Sequence, residues 1–230
     1  MKNYHEKHFP GESKEYREVR NKLLEAEIEL RKKIEDVAEL RRKLPFSGKL
    51  KEDYIFEEID SKTGEIKKTE LSGLFAPGKN TLAIYSYMYG LNTGKPCPMC
   101  TSIMDGINGM VFHITDRINF VMEARAHISK VMEWAKSRNW NKLRILSSEK
   151  NSYNTDYFAE DEKGSQLPML NVFRKEPDGI YHVYGTELLY VTPEPGQDGR
   201  HVDMIWPLWN MFDFTPDGRG NNWYPKYSYD

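Results

Sequence analysis

The only two cysteines of this 230-residue chain stand three positions apart, in Cys97-Pro98-Met99-Cys100. Random placement rarely gives that spacing. The pair follows an apolar, strand-like run from Thr81 to Tyr89 and opens a helix-like stretch that reaches about Val111. A C-x-x-C at a strand-to-helix junction is the layout of a dithiol redox site. The start of a helix offers free N–H groups and a positive dipole end, which favour the thiolate of the first cysteine. The second cysteine, one turn on, is placed to attack a mixed disulfide formed by the first. Pro98 suits the first turn, where its missing N–H goes unmissed.

Composition narrows the classes of function. The formal net charge is −2, so a general affinity for nucleic acid, which needs a basic surface, is not expected. No stretch approaches the roughly 20 apolar residues of a membrane span. The chain opens with polar residues (Met1 to Glu6) and no apolar signal region follows, so the cytoplasm is the expected compartment. Cysteines there are more often reactive or metal-binding than structural.

Residues 13–44 read as one long helix. Ser13 is its N-cap, and Tyr16, Val19, Leu23, Ala26, Leu30, Ile34, Val37, Leu40 and Leu44 form a single apolar stripe before Pro45 stops it. It is either laid over a domain surface or used as an arm for a homodimer. Two strands, 53–59 and 65–70, flank a Ser61-Lys62-Thr63-Gly64 turn and make an N-terminal β-hairpin. An αβ rhythm follows. Strands are expected at 81–88, 118–123 and 143–146, with helices from Cys97 and over His127–Ser137. Residues 148–166 read as an irregular polar insertion. Strands 169–174 and 180–184 surround the hairpin turn Pro177-Asp178-Gly179. A last helix over 202–212, broken at Pro207, precedes an aromatic C-terminal stretch. The expected organisation is an N-terminal helical extension, 1–46, and a main domain, 47–230.

Parallel strands joined by helices, then a trailing hairpin, give a mixed α/β sheet flanked by helices, the thioredoxin-like order. In that arrangement a cis-proline begins the hairpin strand beside the dithiol, and Leu167-Pro168 holds the corresponding place.

Residues 84–113 carry a more specific signal: Cys97-Pro98-Met99-Cys100, then Asp105-Gly106, Gly109 and His113. They resemble a bacterial thioredoxin-like family known as a domain of unknown function and related to thioredoxins and peroxiredoxins. The resemblance runs from the charged helix and Leu44-Pro45 to Asp213-Phe214-Thr215-Pro216-Asp217-Gly218-Arg219. It implies the fold without a settled activity. Two departures matter. Lys95-Pro96 stands where thioredoxins usually carry a tryptophan. Peroxiredoxins place a threonine three residues before the reactive cysteine; for Cys97 that position is Gly94, and for Cys100 it is Cys97.

The expected catalytic pair is therefore Cys97 and Cys100, supported by Pro98, Pro168 and Asp105. Asp105 is read either as a proton carrier for the second thiol or as a local hydrogen-bond partner. No cofactor is expected. A zinc or iron–sulfur site lacks its other half, since His113 would lie roughly 20 Å along the helix from Cys100. Tyr85, Tyr87 and Tyr89 share one strand face, for core packing or for lining a groove. The expected partner is a protein or small-molecule disulfide. A peroxide reductase or redox sensor, and a non-catalytic dimeric binding module, are the alternatives.

Overall fold

Alternation along one central strand organises the main unit. In β3 (Thr81–Ser86), Leu82 and Ile84 point to one side of the sheet and Ala83 and Tyr85 to the other, and all four are buried. A strand buried on both faces belongs in the middle of a sheet. The computed structural model, which describes residues 4–197, 199–220 and 223–229, places it there. The seven-stranded order is β2-β1-β5-β4-β3-β6-β7. The strands are β1 (Ile55–Ile59), β2 (Ile66–Glu70), β4 (Asn119–Ala124), β5 (Ile145–Ser147), β6 (Met169–Glu176) and β7 (Gly179–Gly185). β3, β4 and β5 run parallel; the other neighbours pair antiparallel.

The parallel pairs require crossover helices, supplied by α2 (Pro98–Arg117) and α3 (Ile128–Ser137). Ile103, Met104, Ile107 and Val111 of α2 and Ile128, Val131 and Ala135 of α3 join Tyr85, Met122 and Ile145 in one core layer. Tyr54, Phe56, Leu71, Leu74, Tyr153 and Phe173 fill the layer on the opposite face. This is the thioredoxin-like mixed sheet with its N-terminal hairpin, and each expected strand is present.

The chain divides into two compact units, Met1–Pro45 and Phe46–Asp230. The first is dominated by α1 (Lys14–Arg42), whose N-cap Ser13 accepts a hydrogen bond from the Tyr16 N–H at 3.1 Å. Arg41 and Arg42 complement the negative end of the helix dipole. No residue of α1 is buried.

Several expectations are corrected. The Leu167–Pro168 peptide is trans, since the described residues contain no cis bond. Trans is the favoured isomer at X-Pro, and β6 starts directly after it, with Met169 paired to Ser86. The stretch 148–166 is not simply irregular: it contains α4 (Tyr153–Asp156), and Tyr153 and Asn154 are buried in it. The last helix is shorter than expected. Residues 201–205 form turns, and α5 (Leu208–Asp213) begins after Pro207, which occupies the N-cap position and so lies outside the helix rather than interrupting it. Gly106 and Gly109 leave α2 unbroken, and a Cβ at either would meet open space, so neither admits a close neighbour.

Candidate active site: a dithiol at the tip of a central helix

The chain leaves the carboxyl end of β3, loops out through residues 90–96 and returns. The Cys97 N–H closes the loop by donating to the Met88 carbonyl at 3.0 Å. Cys97 is the N-cap of α2 and Pro98 its first residue. The N-cap position is normally filled by a small oxygen side chain. Here the Cys97 sulfur takes that role, accepting from the Cys100 N–H at 3.5 Å. A sulfur held so is directed at the free amides of the helix start.

The two cysteines are free and unlike. Cys97 is partly exposed, whereas Cys100 is 1% exposed within the core. Cys97 is held down to about 6, first by a hydrogen bond from the Cys100 thiol, then by the backbone N–H of Cys100, the Tyr224 hydroxyl and the Met99 N–H; partial burial opposes these. Cys100 is pushed well above an ordinary thiol, first by burial and then by the neighbouring Cys97 sulfur. The Tyr85 hydroxyl donates to the Cys100 Sγ at 3.3 Å. The arrangement supplies one ionised, reachable sulfur and one protonated reserve sulfur behind it.

Tyr85, Tyr87 and Tyr89 are all buried, so core packing accounts for them. Two also secure α2: Tyr85 through Cys100, and Tyr87 through a 2.7 Å hydrogen bond with the Thr101 hydroxyl. Asp105 lies in the second turn of α2 and is a local anchor. Its Oδ1 accepts from the Trp140 indole N–H at 2.8 Å, and its carboxylate pairs with the Arg138 guanidinium at 2.5 Å. Arg138 in turn donates to the Tyr227 carbonyl at 2.5 Å. Asp105 thus reaches the dithiol through its partners, by Arg138 to the segment that carries Tyr224 and by Trp140 to the Tyr87 ring, which meets it edge-on at 5.6 Å.

That segment, 223–229, is the part of the site that sequence reading missed. The Tyr224 hydroxyl lies beside Cys97, and the Tyr227 hydroxyl donates to the Pro96 carbonyl. The Tyr227 ring meets Trp134 edge-on at 5.2 Å, and Lys95 sits over its face. The available signal was the aromatic crowding of the last residues, which packing alone explained equally well. Pro168 stands just before β6 and is partly buried.

A cleft of about 640 Å³, with Cys97 in its lining, opens between the loop 88–97 and residues 160–166. A separate cavity of about 700 Å³, lined by Tyr54, Tyr157, Met169, Asn171, His182 and Tyr190 among others, contains neither cysteine. No ion can join Cys97, Cys100 and His113, because His113 is exposed in the last turns of the continuous helix α2. Among the described residues one other set of ligand atoms gathers, on Glu57, His127 and Glu149, within 4.8 Å of one another. Lys150 already pairs with Glu57 at 2.7 Å, and the His127 Nδ1 accepts from the Ser129 N–H at the start of α3.

A sequence model of the family described as "Bacterial protein of unknown function (DUF899)" matches residues 6–229. No curated protein matches the chain at a significant level. Solved structures that resemble it include Plasmodium yoelii thioredoxin peroxidase I, at 16% identity and TM-score 0.46, covering 79% of this chain and 100% of that one. The mitochondrial 2-Cys peroxiredoxin of Plasmodium falciparum has 13% identity and TM-score 0.46, covering 74% and 97%. Enterococcus faecalis AhpC has 13% identity and TM-score 0.44, covering 75% and 96%.

Proposed function

The chain belongs to this bacterial family, whose description assigns no activity, and we propose that it is a thiol–disulfide oxidoreductase working through Cys97 and Cys100. The observation that carries the reading is the asymmetry of the pair: Cys97 is partly exposed, caps α2 and is held down to about 6, while Cys100 waits buried and protonated.

The Cys97 thiolate attacks one sulfur of a substrate disulfide along the S–S axis. A Cys97–substrate disulfide forms and one substrate thiolate leaves. Cys100 then loses its proton to the departing thiolate or to solvent and attacks the Cys97 sulfur. The second substrate thiol leaves, and the Cys97–Cys100 disulfide remains. One substrate disulfide becomes two thiols, and the protein dithiol is oxidised by two electrons. Pro98 fixes the first turn that aims the amides at Cys97. Asp105 acts at a distance, by holding the segment that bears Tyr224. Pro168 is assigned a supporting place at the start of β6, with its trans bond. The reaction needs no cofactor, only an external thiol to reset the pair, and it suits a reducing cytoplasm. No helix among the described residues is long and apolar enough to cross a membrane.

A single-turnover assay tests this. Reduced protein, freed of reductant, is mixed with a disulfide and the released thiol is counted. Wild type should release two equivalents. Cys100→Ser should release one and retain half of the substrate as a covalent adduct visible by mass spectrometry. Cys97→Ser should release none. Equal inactivity of all three proteins across several disulfides would remove the reading. Rapid stoichiometric consumption of hydrogen peroxide without disulfide reduction would replace it with a peroxidase.

A further inference from the structure

The cleft beside Cys97 carries information on substrate class. The surroundings of the sulfur are uneven, with the Tyr224 hydroxyl beside it and a cleft that it helps to line. The segment 223–229 is strapped down by Tyr227, which takes the Pro96 carbonyl, packs on Trp134 and is tied through Arg138 to Asp105. That carbonyl belongs to the residue just before the nucleophile. The cleft has a volume of about 640 Å³. This is the size of a pocket for a small molecule, which typically spans roughly 300–1,000 Å³.

The charge of that cleft is one-sided. Its lining includes Lys95, Arg125 and Lys163 against a single carboxylate, Glu160. Arg125 is already committed. Its Nε lies 3.3 Å from Glu160, and its Nη1 donates to the carbonyls of Ser148, Glu149 and Asn151. Lys95 and Lys163 are exposed at the rim. The nearby Asp161 carboxylate is turned into its own loop, where it accepts the N–H groups of Lys163 and Ser165. The uncancelled cations of the lining are therefore Lys163 and Lys95, the latter with its ammonium 5.6 Å from the centre of the Tyr227 ring.

We propose that this cleft takes small disulfides bearing carboxylates, and that Lys95 and Lys163 are its anion-binding residues. The inference rests on the reading of Cys97 as nucleophile and adds the choice of substrate. The chemistry is the exchange already written, with the carboxylates of the disulfide held at the rim and its sulfur at Cys97. Rim charges also raise the encounter rate with anions, an effect that salt weakens.

Three disulfides with similar short arms provide the test: dithiodiglycolate (a dianion), hydroxyethyl disulfide (neutral) and cystamine (a dication). Each rate with reduced full-length protein is divided by the rate of the same disulfide with dithiothreitol, which removes intrinsic leaving-group differences. The normalised dianion rate should exceed the dication rate by about tenfold at low salt, as expected for two exposed charge pairs. Added salt should shrink the ratio. Lys95→Gln with Lys163→Gln should lower the dianion-to-neutral ratio toward one, and insulin should react more slowly than dithiodiglycolate. Equal normalised rates for all three compounds, or a ratio indifferent to both salt and the lysine changes, would overturn the inference and leave the oxidoreductase intact. Insulin reduced faster than every small disulfide would overturn it too. Absence of reaction with all of them would remove the oxidoreductase reading itself.

Discussion

The hydroxyl of Tyr224 lies 3.7 Å from the Sγ of Cys97, although 127 positions separate them in the chain. A phenol beside a thiolate donates its proton and favours the charged sulfur. Burial first, and then the charge of Cys97 and this same contact, raise the phenol's own pKa, so Tyr224 stays a donor over the range in which Cys97 titrates.

The pH dependence of alkylation follows directly. The rate of iodoacetamide modification of Cys97 should rise through a midpoint near 6 in the wild type. Cys100→Ala removes the strongest hydrogen bond to the thiolate and should move the midpoint up most. Tyr224→Phe should move it up by a smaller amount and leave the fold's melting temperature nearly unchanged. A wild-type midpoint near that of a free thiol, about 8.5, would refute the assignment of Cys97 as a ready thiolate.

Glu123 should make stability fall with rising pH. Its side chain is fully buried in β4, and burial pushes it up to about 7 against the opposing pull of the Ser86 and Ser148 hydroxyls and of Arg125. In the unfolded chain the carboxyl ionises near 4.5, whereas the folded state keeps its proton to about 7. The folded form therefore binds the extra proton between these values, and stability drops across that window as pH rises. Above it the cost is of order 3 kcal/mol. Glu123→Gln keeps an oxygen for the Ser148 hydroxyl, which donates to Oε2 at 2.8 Å. The variant should unfold at higher denaturant than wild type at pH 8 and lose that advantage at pH 5. Parallel stability curves from pH 4 to pH 8 would show the carboxyl to be ordinary.

The stripe on α1 should support self-association. Val19, Leu23, Leu30 and Leu40 are each at least half exposed, and together with Ala26, Ile34 and Val37 they recur every three or four positions, the spacing of a helix pairing with another helix. Sedimentation equilibrium at micromolar concentration should give a dimer. Leu23→Glu with Leu30→Glu should give a monomer with unchanged helical content. A wild-type monomer at high concentration would discard this use of the helix.

Much of the scaffold was legible because two periodicities dominate it. The alternation in 81–86 and the 3.6-residue stripe in 128–137 each follow from one buried face and need no distant information. The dithiol was legible for the same reason, since sulfur, proline and helix start are neighbours in sequence. What escaped depends on long-range packing. Tyr153 stands in a polar stretch, yet it is fully buried because Tyr54, Phe56 and Phe173 meet its ring. Asp105 could be read as a proton carrier only while its partners Arg138 and Trp140 were unknown. The cis-proline expectation rests on fold analogy, and no local pattern around Leu167-Pro168 specifies the isomer, which is trans. Tyr224 reaches Cys97 through a path that no local pattern encodes.

The two margins of the sheet bear on how this protein keeps to itself. β2, at one end, presents Lys67 and Lys68, and Lys67 is pinned to Glu58 and Asp60. At the other end, residues 48–50 lie along β7: Leu50 donates to the Ile180 carbonyl and Gly48 accepts from the His182 N–H. Strand-by-strand growth into fibrils or ribbons needs an uncharged, unoccupied backbone ladder. One border here is guarded by ammonium groups and the other is already partly filled, so crowding during overexpression should yield soluble assemblies rather than cross-β aggregates.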